Sequence, residues 1–112
     1  MAFFFVLSQP PDGISDAEYT AWYDVHHAEV LQLPAFVGAQ RFPIDLMPNA
    51  AGTGTPFRFL VRYEVEGDFD AAWAQLRAAV DSGTMTFPEW YGGVVSSGYR
   101  GGDPVAFGVP GS

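Results

Sequence analysis

The stretch from Phe57 to Val65 alternates without a break. Phe57, Phe59, Val61, Tyr63 and Val65 take one face, and Arg58, Leu60, Arg62 and Glu64 take the other. A period of two is that of a strand with one side in a core, and it commits the chain to a sheet. Residues 2–8 are apolar or aromatic almost throughout, a run of the kind buried on both faces, and Pro10-Pro11-Asp12-Gly13 ends it. Phe36 to Phe42 reads as another strand, followed by a long connection from Pro43 to Pro56. Val94 to Arg100 supplies a fourth strand.

Between these strands the period changes to that of a helix. Ser15 or Asp16 offers an N-cap, and Glu18 completes a capping-box pattern with Ser15. Tyr19, Trp22, Tyr23, His26, Val30 and Leu33 then fall on one stripe about 100° wide, until Pro34 stops the helix. Asp68 or Asp70 can cap a second helix with the stripe Phe69, Ala72, Trp73, Leu76, Ala79 and Val80, ending at Ser82-Gly83. The order β-α-β-β-α-β predicts an α+β, ferredoxin-like domain: a four-stranded antiparallel sheet with both helices on one face. It would span residues 1–100, with residues 101–112 as a Gly/Pro-rich tail. The uncovered face would carry apolar side chains, so the expected assembly is a homodimer with its sheets face to face.

Composition removes several classes of function. The chain has no cysteine, which excludes a disulfide scaffold, a thiolate metal site and a cysteine nucleophile. Thirteen acids against five arginines and no lysine give a net charge of -8, so nucleic acid and anionic membrane surfaces are not expected partners. No apolar run reaches the ~18–20 residues that would span a bilayer. The amino-terminal apolar run lacks the basic flank and cleavage site of a signal peptide, and a cytoplasmic location is the expectation. Gly52-Thr53-Gly54-Thr55 follows no strand and lacks lysine, so it reads as a loop and not as a phosphate cradle.

The candidate chemistry gathers on the first helix. His26 and His27 are the only histidines, and both lie among aromatic residues. A partly buried imidazole stays neutral near pH 7 and can act as a base; the bland alternative is a core histidine tied to a carbonyl or a tyrosine. Neighbouring helix positions diverge by about 100°, so the pair is poorly placed to share a metal, and no metal site is expected. Asp24, three residues before His27, could orient its ring or stand solvated, while Glu29 is expected to face solvent. Tyr63 and Tyr23 could hold a substrate carbonyl or pack with tethered hydroxyls. Trp22, Tyr19, Phe59 and Tyr91 are candidate pocket walls for a flat, apolar ligand. Arg41 and Arg62 could bind an anionic group of that ligand or form salt bridges on the sheet; Arg58 and Arg62 share a strand face by parity.

Trp22-Tyr23-Asp24-Val25-His26-His27, running on to Leu31-Gln32-Leu33-Pro34-Ala35-Phe36, resembles the dimeric α/β-barrel superfamily and in particular its EthD-like branch. Ala39-Gln40-Arg41-Phe42 and Phe59-Leu60-Val61-Arg62-Tyr63-Glu64-Val65 are similar to the second and third strands of that branch. The family histidine falls on His27 counted forward from Trp22 and on His26 counted back from Pro34, and Ala35 stands where the family commonly has glycine. The resemblance implies a dimeric α/β barrel with a histidine- and tyrosine-lined pocket between sheet and helices. It further implies acid–base chemistry without a cofactor, as in cyclases, isomerases, dehydratases or decarboxylases of aromatic, polyketide-like or lactone substrates. Two rival readings are a cofactor-free monooxygenase of a phenol and a non-catalytic carrier of a hydrophobic metabolite. Haem-binding superfamily relatives would use His26 or His27 as axial ligand, and haem is not the expectation here.

Overall fold

Four strands and two helices form from the segments that the patterns mark. The structure, a computed structural model, describes residues 1–47 and 57–108. The Gly52–Thr55 loop and the last four residues of the tail lie outside the described residues. In chain order come β1 (Ala2–Gln9), α1 (Asp16–Val30), β2 (Phe36–Pro43), β3 (Phe59–Val65), α2 (Phe69–Asp81), a short 3-10 turn (Glu89–Gly93) and β4 (Val95–Gly101). The sheet order is β2-β3-β1-β4, with every neighbouring pair antiparallel. The fold is α+β and ferredoxin-like.

The helices begin where their caps dictate. Ser15 Oγ accepts from the Glu18 amide at 3.1 Å, and an Asp68 carboxylate oxygen accepts from the Ala71 amide at 3.1 Å. The first helix ends at Val30, three residues before the expected Leu33. There the Gln32 and Leu33 amides bond back three residues, to Glu29 and Val30, and tighten the last turn ahead of Pro34. Gly83 takes φ +76° immediately after the second helix, a backbone angle at which any side chain is strained.

Register decides what each strand shows the helices. Phe59, Val61, Tyr63 and Val65 of β3 are all buried beneath them, and Phe4 and Val6 of β1 pack against the same core. Tyr19, Tyr23 and Val30 from α1, Ala72 and Leu76 from α2, and Ser8, Phe36 and Met85 are buried as well. The other face of the sheet has no helix over it. There Phe3, Phe5 and Leu7 of β1 stand opposite Glu64, Arg62 and Leu60 of β3, and Phe5 also faces Tyr99 of β4. The β1 aromatic run is thus half-buried in the single chain, not buried on both faces.

One irregularity matters for the site. A bulge between Phe36 and Gly38 breaks the alternation of β2. Phe36 and Ala39 consequently share the helix side, and Arg41, opposite Val61, follows them. A Cβ on Gly38 would lie 2.9 Å from the Glu64 carboxylate, so the bulge is built at a residue without a side chain.

Candidate functional site

The helices stand apart over the sheet and leave a cavity of about 890 Å³. Its floor comes from Phe4, Val6, Ser8 and Tyr63, its walls from Tyr19, Trp22, Tyr23 and His26 of α1 and Trp73 of α2. That volume is in the range of a site for a small organic ligand. Phe87 and Tyr91, 4.6 Å apart between ring centres, close one side.

The two histidines diverge as their helix positions require. His26 lines the cavity, its ring stacked on Trp22 at 5.0 Å and beside Phe87 at 5.7 Å. Its Nδ1 is buried without a hydrogen-bond partner. Burial lowers the His26 pKa below the usual imidazole value, and the Glu29 carboxylate opposes that shift. The ring is therefore neutral at pH 7.

His27 turns towards β3 instead and meets Tyr63, with Nδ1 and Oη 2.7 Å apart. Tyr23 stacks on its other side at 4.4 Å. Burial, then Arg41 and His26, depress the His27 pKa to about 4, against a smaller opposing effect of Asp24. His27 Nε2 is buried and unpaired. An unpaired lone pair is more readily tolerated there than an unpaired N–H, which assigns the proton to Nδ1, donating to Tyr63 Oη. The Tyr63 hydroxyl proton is then free to point into the cavity. Burial, reinforced by Tyr23, Tyr91 and Tyr19, holds Tyr63 far above the usual phenol range, so it is a hydrogen-bond donor at any working pH.

Tyr19, Tyr23 and Tyr91 stay protonated for the same reason. Burial raises Tyr19, partly offset by its hydrogen bond to Ser8 Oγ at 2.7 Å. Tyr23 is raised further by burial and by Tyr19, and Tyr91 by burial.

The arginines and acids separate by face. Asp24 pairs with Arg41 at 2.8 Å and makes no hydrogen bond to His27, so it does not orient the ring directly. Arg41 lies over the Tyr23 ring at 5.8 Å, beside the histidine but not among the cavity walls. Arg62 is on the uncovered face, with Gln40 and Glu64 as its partners, away from the cavity. Arg58, which parity places beside it, lies ahead of β3 and reaches the start of α1, where it pairs with Asp16 at 2.8 Å. Phe59 is a core residue against Tyr19, and it does not line the cavity.

Glu29 does not simply face solvent. Its carboxylate accepts from the Thr86 amide at 3.0 and 3.1 Å, while the Trp22 indole donates to the Thr86 carbonyl at 2.8 Å. These bonds pin the segment that carries Phe87 and Tyr91 across α1. The sequence gives no period there to reveal it. Ser8, Arg77 and Arg100, which also line the cavity, are further residues that the sequence reading missed. Ser8 had one signal: it is the single polar side chain on the helix-facing parity of β1, after Ala2, Phe4 and Val6.

Two results are expected from this arrangement. Glu29→Ala removes a charge-assisted contact and should cost about 1–2 kcal/mol of stability. Urea denaturation reads the loss, and faster hydrogen exchange at the Thr86 amide localises it. For pH, His27 binds its proton near 4 when folded and near the ordinary imidazole value of 6.5 when unfolded. The unfolded chain therefore takes up more protons between those values, so stability falls as pH drops from 6.5 towards 4. His27→Gln should flatten that part of the denaturation-versus-pH profile.

No family model matches the chain, and no curated protein matches it. Solved structures do. The chain is similar to At3g17210 from Arabidopsis thaliana, with a TM-score of 0.64 and 14% identity over 97% of this chain and 100% of that one. It is also similar to HapK from Hahella chejuensis, with a TM-score of 0.58 and 16% identity over 99% of this chain and 100% of that one. At such identities the likeness is one of fold. Among the described residues no helix is long and apolar enough to cross a membrane, and no three potential ligands converge on a metal position.

Proposed function

We propose that this chain is a cofactor-independent acid–base enzyme of the dimeric α/β-barrel superfamily, EthD-like branch, acting on an aromatic, polyketide-like or lactone substrate. The observation that carries the reading is the pair of unlike groups at one cavity: a neutral His26 in the wall and a Tyr63 hydroxyl in the floor, backed by His27 at 2.7 Å. His26 takes a proton from a carbon next to a carbonyl. The electron pair moves onto the carbonyl oxygen, and Tyr63 donates a hydrogen bond to the enolate that forms. His27 is a positioning residue that fixes which way the Tyr63 proton points. Cyclisation, isomerisation, dehydration and decarboxylation all draw on such an enolate.

Assembly belongs to the same reading. A homodimer formed through the uncovered sheet face would bury Phe3, Phe5, Leu7 and Leu60 against their symmetry mates. A second reading, a carrier for a hydrophobic metabolite, draws support from the low basicity of His27.

Deuterium uptake separates the two. 2-Tetralone is a flat aromatic ketone with exchangeable protons beside its carbonyl. In deuterated buffer at pH 7 the protein should speed that exchange well beyond the same concentration of free imidazole. Exchange no faster than free imidazole supports the carrier.

A further inference from the structure

The charges around the cavity are distributed against the charge of the whole chain. Thirteen carboxylates and five guanidinium groups make up its charged side chains, and all of them belong to described residues. No carboxylate lines the cavity, yet Arg77 and Arg100 both do. Arg77 stands on α2 and Arg100 on β4, so they come to the cavity from two different elements. Both are exposed, with side chains 60% and 61% accessible, whereas Tyr19, Tyr23 and Tyr63 of the lining are buried. The cavity thus has a basic rim and an aromatic, hydroxyl-bearing interior.

Neither arginine is used up by its present partner. Arg77 approaches Asp81 only at 3.9 Å, one turn along its own helix. Arg100 makes one bond of 2.8 Å, from Nη2 to Asp70, and its guanidinium lies over the Phe69 ring at 4.5 Å. A guanidinium carries five N–H donors, and exposed ion pairs of this kind hold weakly. A ligand carboxylate at either arginine can take up donors that Asp70 or Asp81 leaves free.

We infer that the ligand of this cavity is an aromatic acid, held with its carboxylate at this basic rim, on Arg77 or Arg100, and its ring system inward against Trp73, Phe4 and Tyr63. The inference rests on the enzyme reading above only in sharing its cavity. It adds a substrate class: an anionic ligand whose acid group stays at the rim, away from the carbon that reacts. The net charge of -8 makes the test sharper, since the protein as a whole repels an anion and any preference for one must arise locally.

Isothermal titration calorimetry with 2-naphthoate and with 2-naphthamide, its neutral analogue of the same shape, provides that test. The acid should bind about tenfold tighter than the amide in low salt. The acid-over-amide ratio should fall roughly fivefold in at least one of Arg77→Gln and Arg100→Gln, and to near one in the double variant. Arg62→Gln, on the opposite face of the sheet, should leave the ratio unchanged, and thermal melts report whether each variant is folded. Equal binding of the two probes, or a ratio insensitive to both arginines, would overturn the inference and leave the cavity reading standing. If neither probe binds, the cavity reading fails and this inference fails with it.

Discussion

His26→Gln is expected to slow 2-tetralone exchange by about 10²–10³-fold, because the glutamine amide fills similar space but cannot accept the proton. His26 is half-buried and makes no hydrogen bond among the described residues, so its replacement should leave the fold nearly as stable as before. Tyr63→Phe should act differently. It removes the donor to the enolate and strands the His27 Nδ1 proton, so a loss of activity should come with a loss of stability of about 1–2 kcal/mol. His27→Gln should fall between them in activity, since it acts only through the orientation of Tyr63. A set in which His27→Gln abolishes exchange and His26→Gln does not would exchange the roles of the two histidines.

The second large effect concerns assembly. Phe5 lies at the centre of the uncovered face, opposite Arg62 on one side and Tyr99 on the other, and a Cβ on Gly101 would meet its ring at 2.5 Å. In a two-fold dimer each Phe5→Glu substitution is made twice. Losing about 1.5–3 kcal/mol of aromatic burial per copy weakens association by roughly 10²–10⁴-fold, before any cost of burying the charge. Light scattering at micromolar concentration should show twice the chain mass for the natural protein and the single chain mass for the variant. Since Phe5 is outside the helix-covered core, circular dichroism of the variant should be unchanged. A natural protein that is monomeric at every concentration would remove the dimer from the account.

Much of the fold was legible because it rests on period. The alternation from Phe57 to Val65 put Tyr63 on the aromatic face of its strand, which the helices cover, and the α1 stripe grouped Tyr19, Tyr23 and His26. The site was less legible because it depends on phase and on distant contacts. Arg41 and Arg62 look alike on their strands, yet the bulge at Phe36–Gly38 shifts Arg41 to the helix side, while strict alternation keeps Arg62 on the other. No local signal announces such a bulge beyond a glycine that has other uses. The segment from Met85 to Tyr91 has neither strand nor helix period, and it is placed by Trp22 and Glu29 of a helix far back in the chain. The two adjacent histidines could be separated only once β3 supplied Tyr63 as a partner for one of them.

The central claim is that His26 and Tyr63 address opposite ends of one enolising unit. A crystal structure with 2-naphthol tests it most directly, since this planar molecule has the shape of the 2-tetralone enol. The account predicts the naphthol ring in the cavity, its oxygen ~2.6–3.2 Å from Tyr63 Oη and the adjacent ring carbon facing the His26 imidazole. A naphthol bound elsewhere, or bound in the cavity with its oxygen turned from Tyr63 and no ring carbon near His26, would contradict it.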